Sequence, residues 1–258
     1  MSRVTAGLKK AWTLFLVPVA LFILWLVASS ESTNFFFPSL RKILGAFAHT
    51  WFSERWSADI VPSLLRLVAG FLIALMLALV LGVFLGHSNR ARDYVEPALE
   101  FFRAIPPTVM IPVLLVISGV GNTSKIAVIA FGCIWPMLLN TIEGVRSVDS
   151  LLKDTCDIYK IHGMRRLRIL TLRAASPQIV TGMRTGLSIA IILMVISEMF
   201  ASKDGLGFTI IQFQRTFSIP EMWSGILLLG IIGVVLALLM RVFEMIVLRW
   251  YEGARKRG

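Results

Sequence analysis

Apolar residues along this chain gather into long, unbroken runs. Five runs carry no Asp, Glu, Lys or Arg: residues 11–30, 67–89, 104–124, 126–142 and 222–240, of 20, 23, 21, 17 and 19 residues. A sixth, 174–197, is interrupted only by Arg184. A helix that crosses a bilayer needs roughly 20 mainly apolar residues. The pattern therefore predicts an all-α polytopic membrane protein with six transmembrane helices. The third run opens on Pro106, Pro107 and Pro112. Three prolines so close cannot sit in one straight helix, because each removes a donor and clashes with the preceding turn. Such a break is tolerated at membrane depth only where protein or a water-filled cavity covers it. Gly82 and Gly86 have the GxxxG spacing that permits close helix contact. Residues 39–52 read either as a short interfacial helix or as an aromatic-rich loop. Residues 201–221 read as an external loop with a glycine-rich turn.

Composition agrees with the runs. The chain of 258 residues is 57% hydrophobic and only 16% charged, against about a quarter charged in soluble domains. No A-x-A-like cleavage site follows the first run, so it reads as a retained anchor. Cys133 and Cys156 form no disulfide or metal framework. The net charge of +11 follows topology. Alternate loops and the termini hold 17 Lys and Arg on one side and seven on the other. Cytoplasmic loops collect these residues, so both termini are expected in the cytoplasm, in keeping with an even number of crossings. Three segments follow: 1–58 as tail, first helix and external loop; 59–250 as the membrane domain; and 251–258 as a basic cytoplasmic tail.

The longest basic gap, 146–173, holds seven Lys and Arg and a short helical pattern from 151 to 162, between the fourth and fifth helices. Ser150 is placed to cap this helix and Gly163 to end it. Leu152, Cys156 and Tyr159 share one face, and Lys153 can pair with Asp157 at i, i+4. So short a helix is unstable alone, so something must bury its apolar face. Polar residues inside spans are costly in lipid, which makes Asn140, Ser188 and Glu198 candidates for a translocation path. Competing structural roles are a hydrogen bond to a neighbouring helix for Asn140, and for Glu198 pairing with Lys203 or interfacial water. For Arg184 the structural role is snorkelling or pairing with Glu143.

The loop also resembles the cytoplasmic signature of membrane subunits in importers of the ATP-binding cassette class. That signature has E-A-A, a glycine four residues on, and a later Leu-Pro. Asp154, Thr155 and Cys156 fall on E-A-A, Lys160 on the glycine, Leu172 and Arg173 on Leu-Pro, and Pro177 on a second proline. The surrounding GVRSVD, PQIVTGMRTGLSIA, ISEMFASKDGLGF, IPPTVMIPVLL and IWPMLLNT resemble the nitrate/sulfonate/taurine branch over roughly residues 60–250. With Lys160 in place of glycine, the turn after the loop helix is expected to move to Gly163.

The resemblance implies a permease subunit in the bacterial inner membrane that imports a small anion by alternating access. It implies ATPase subunits docked at Leu152, Asp154, Thr155, Cys156, Tyr159, Lys160 and Gly163. It also implies an extracytoplasmic binding protein and a second permease copy. A thiamine-precursor pyrimidine is an alternative cargo. No G-x-x-x-x-G-K-[ST] phosphate loop is present, and 119–125 (GVGNTSK) has the wrong spacing. The chain itself is therefore expected to bind no cofactor or metal and to catalyse nothing, with ATP and Mg on the partner. No nucleic-acid partner is expected. An intramembrane hydrolase is disfavoured, because His49, His87 and His162 lie far apart and no H-E-x-x-H occurs. An ion-gradient transporter is disfavoured by the lack of an internal repeat.

Overall fold

The computed structural model describes residues 16, 19–30, 32, 34–200 and 202–251. Among these, every regular element is a helix. In order they are α1 (Val19–Ser29), α2 (Leu40–Trp51), α3 (Val61–His87), α4 (Asn89–Ala104), α5 (Met110–Ser118) and α6 (Asn122–Arg146). Then come α7 (Ser150–Ile158), α8 (Gly163–Arg166), α9 (Leu172–Phe200), α10 (Leu206–Arg215) and α11 (Ile219–Val247). Wider turns at Trp56–Ile60 and Leu167–Thr171 lead without a break into α3 and α9.

Among the described residues, four helices are long and apolar enough to cross a membrane: Trp56–His87, Asn122–Arg146, Gly163–Phe200 and Ile219–Val247. This differs from the six expected. Much of the first run, residues 11–15, 17 and 18, lies outside the described residues. The third run is divided as its prolines require. α4 ends at Ala104, the chain turns through Pro106 and Pro107, and α5 is only nine residues long.

The chain divides into two units. One contains residues up to Trp56 and Thr209–Leu229. Here residues 39–52 are largely helical, as α2. α2 is anchored by buried Leu40, Ile43 and Trp51, and Trp51 Nε1 donates to Ser224 Oγ at 2.9 Å. The backbone carbonyl of Phe36 accepts from Trp223 Nε1 at 3.1 Å.

The other unit contains residues 57–208 and the described residues from 230 onward. Its core is α3 packed on α6, and α6 on α9. One stripe of α3 explains the first contact. Gly70, Ala74, Ala78, Gly82 and Gly86 recur every four residues, and both alanines are fully buried. A Cβ on Gly70, Gly82 or Gly86 would lie 2.7, 2.6 and 2.6 Å from Ile129, Thr141 and Val145 of α6. The small residues thus let two helix backbones approach where no hydrophobic force separates protein from lipid.

Candidate functional site

Two groups of residues carry the polar chemistry of this unit, at opposite ends of α9. The first is the loop helix. α7 spans Ser150–Ile158 and ends four residues before the helical pattern suggested. Its cap is Asp149, whose side chain accepts from Leu151 N at 2.9 Å, not Ser150. Lys160 adopts φ +53°. Ile161 N donates to Cys156 O at 2.8 Å and Lys160 N to Asp157 O at 3.1 Å, the paired bonds of a Schellman stop. The turn therefore stays at Lys160, the position of the signature's glycine. The helix ends here because a left-handed residue satisfies its last carbonyls, although Lys carries a Cβ penalty that glycine lacks. Gly163 also has positive φ and opens α8.

Asp157 accepts from Arg166 of α8 at 2.6 Å, with His162 Nδ1 3.7 Å away. The partner of Asp157 is thus Arg166 rather than Lys153. Cys156 faces inward, while Leu151, Leu152, Ile158 and Tyr159 are exposed. Thr155 Oγ1 donates to Leu151 O at 2.7 Å within the helix. α7 is thus held to its own chain through Cys156 and Asp157 and leaves most of its apolar surface uncovered.

The second group is a buried charge cluster at the far end of α9. Glu198 is 0% exposed and Arg66 is 3%. Arg66 Nη1 donates to Glu198 Oε1 at 2.8 Å, and its Nη2 pairs with Asp204. Arg66 Nε donates to Asn122 Oδ1 at 2.8 Å. Ser63 Oγ lies 2.8 Å from both Glu198 oxygens and accepts from Leu206 N at 2.9 Å. Gly207 N donates to Glu198 Oε2 at 3.0 Å, and Gly205 N to Asp59 Oδ1 at 3.1 Å. Lys125 is buried beside them.

The Gly-Leu-Gly sequence is required by this arrangement. Gly205 has φ +106°, and a Cβ there would lie 2.6 Å from the Glu198 carboxylate. A Cβ on Gly207 would lie 2.3 Å from Val195 O. Asp204, outside the spans, is the cluster's most exposed carboxylate. Partial burial pushes its pKa up, but the hydrogen bond and charge of Arg66, aided by Lys125 and Ser202, outweigh this and hold it below the ordinary value.

The translocation candidates do not converge. Asn140 Nδ2 donates to Pro136 O in its own helix at 2.8 Å. Asn140 also lines a cavity of about 320 Å³ with Arg92, Glu96, Glu100, Glu143 and Arg146. Ser188 is exposed, and its hydroxyl bonds Arg184 O at 3.4 Å. Glu198 lies ten residues further along α9, about 15 Å of helix rise, enclosed with Arg66 rather than with Lys203 or water. Arg184 pairs with Glu244 of α11, not with Glu143. Glu143 lies 3.9 Å from Arg146.

Sequence reasoning did not single out Arg66, Ser63 or Asp59. The available signal was their spacing of i, i+4 and i+7, on the stripe that continues into the buried glycines of α3.

The described residues thus form a helical membrane protein with a short helix held in a basic loop. The profile of the family described as "Binding-protein-dependent transport system inner membrane component" matches residues 70–252, and the chain belongs to that family. It is similar to SsuC of Bacillus subtilis (strain 168), a candidate aliphatic sulfonates transport permease protein, at 27% identity over 92% of this chain and 88% of the relative. It is also similar to the taurine transport system permease protein TauC of Escherichia coli (strain K12), at 26% identity over 90% and 87%. Among solved structures, a chain of the MetNI methionine transporter in inward-facing form matches with TM-score 0.63 and 19% identity, over 73% of this chain and 94% of that one. The last likeness concerns the fold.

Proposed function

We propose that this permease imports a small organic or inorganic anion of the sulfonate, taurine or nitrate kind, and that ATP hydrolysis on separate subunits drives it through α7. The observation that carries the reading is the uncovered apolar surface of α7: Leu151 is 70% exposed, Ile158 78% and Tyr159 74%. A nine-residue helix with that surface in water needs a protein partner to bury it. An ATPase groove supplies one, and the positions lie in the register of the signature read from sequence. ATP and Mg would bind on that partner. A soluble binding protein would deliver cargo on the opposite face, and a second permease copy would complete the pathway. The chain's relatives, including the nitrate import permease NrtB of Synechocystis, support the anion class.

In this reading the chain crosses the membrane six times. The apolar run 11–30 and the broken 104–124 segment join the four long helices. Both termini and α7 face the cytoplasm. The charge asymmetry supports this, because two of the seven basic residues on the sparse side, Arg66 and Lys125, are buried in the cluster. Each conformational state must be favoured by a different ligand state of the partner, or nothing moves.

The test is Tyr159→Asp. It places a charge in the centre of the docking surface and is expected to abolish ATP-driven uptake and ATPase co-purification while leaving membrane insertion intact. Wild-type uptake in this variant would exclude α7 as the docking element.

A further inference from the structure

A cavity of about 430 Å³ lies between α9 and α11, at the end of α9 nearer the loop helix. Pro177, Thr181 and Arg184 wall it on one side, and Arg241, Glu244 and Tyr251 on the other. Arg184 and Glu244 pair across it, so their charges offset. Arg241 has no ion pair among the described residues. The cavity therefore holds one uncompensated positive charge.

The depth of this cavity follows from α11. Residues 222–240 carry no charge over 19 residues, a rise of about 28 Å, which matches a hydrocarbon core of about 30 Å. Arg241 is the first charge past that run and so sits at its edge. Trp250 and Tyr251 follow with ring centroids 5.7 Å apart, and Tyr251 closes the cavity on the side away from the apolar run. Towards the hydrocarbon, Val234 and Leu238 lie on the same stripe of α11 as Arg241, and both are exposed and apolar.

We infer that this cavity binds the phosphate headgroup of an anionic phospholipid, with an acyl chain lying along Val234 and Leu238. A guanidinium matches phosphate with paired hydrogen bonds, and the Tyr251 hydroxyl is a further donor. Basic pockets between membrane helices at one face bind anionic headgroups. A free phosphate would use the same polar groups but would gain nothing from the apolar stripe. The inference needs only that the chain is membrane-embedded and does not depend on its cargo.

The test is native mass spectrometry of the intact protein released from mild detergent. It is loaded with phosphatidylglycerol or with phosphatidylcholine of the same acyl chains. Phosphatidylglycerol is expected to stay bound where phosphatidylcholine is lost. Arg241→Gln is expected to lower its occupancy about fivefold, and Arg241→Lys to preserve most of it. Equal retention of the two lipids by the wild type overturns the site, whether or not a variant folds. Equal phosphatidylglycerol retention by Arg241→Gln and wild type also overturns it. Displacement of the lipid by inorganic phosphate alone would assign the cavity to a free anion and overturn the lipid reading.

Discussion

Replacing Glu198 by Gln probes whether the charge cluster holds together the end of the helix bundle remote from α7. Glu198 is fully enclosed and accepts from Ser63, Arg66 and Gly207 at 2.8, 2.8 and 3.0 Å. Gln keeps the shape, removes the charge and turns one acceptor into a donor facing N–H and O–H groups. Removing one partner of a buried ion pair costs about 3–5 kcal/mol, because the other charge stays buried. Asp204 remains on Arg66, so the lower end of that range applies, about 3 kcal/mol. At about 2–4 °C per kcal/mol for a chain of this size, the melting temperature should fall by about 6–12 °C. Cys133 is 0% exposed, so a thiol-reactive fluorogenic dye reads unfolding directly in a Cys156→Ser background. Because both residues belong to one network, Arg66→Gln combined with Glu198→Gln should cost less than the sum of the two single changes. A melting temperature for Glu198→Gln within about 2 °C of wild type would refute the structural role.

Three further outcomes follow from the same geometry. Gly207→Ala should destabilise by at least about 1 kcal/mol, since its Cβ meets a backbone carbonyl that cannot yield; the dye assay detects this. Lys160→Gly should steady the loop by roughly 1 kcal/mol by relieving the left-handed strain at φ +53°, seen as slower amide exchange over residues 150–161. Asp204 has a pKa below its ordinary value. Its contribution is therefore present above the unfolded carboxylate range near pH 4 and is lost only as pH falls through the lower folded value. Amide protection at 202–207, taken relative to the intrinsic exchange rate at each pH, should accordingly stay flat from about pH 5 to 8 and fall in stronger acid.

Much of the fold was legible because lipid imposes a length rule. Runs of apolar residues mark helices whatever their neighbours, and the three prolines marked the break between α4 and α5. The ends of the helices were less legible. α3 and the wider turn leading into it begin before the apolar run because Asp59, Ser63 and Arg66 are polar yet satisfied inside the protein. Hydropathy counts them as loop, and only their helical spacing says otherwise. α10 was missed in the same way: Leu206, Ile210 and Phe213 are spaced i, i+4 and i+7, but flanking polar residues masked the pattern. In the site, the existence of the loop helix could be read, but its end could not. Whether Lys160 or Gly163 stops the helix depends on which carbonyls the turn must satisfy. The ion-pair partners of Glu198 and Arg184 lie 132 and 60 residues away, so only the packing of α3, α9 and α11 could reveal them.

Coupling of this permease to a separate ATPase through α7 is tested by expressing the chain with its genomic neighbours and purifying it in mild detergent. An ATPase should co-purify, and its hydrolysis should rise when a binding protein loaded with a sulfonate, taurine or nitrate is added. Purification of the chain alone, with solute moving only down an ion gradient, would contradict it.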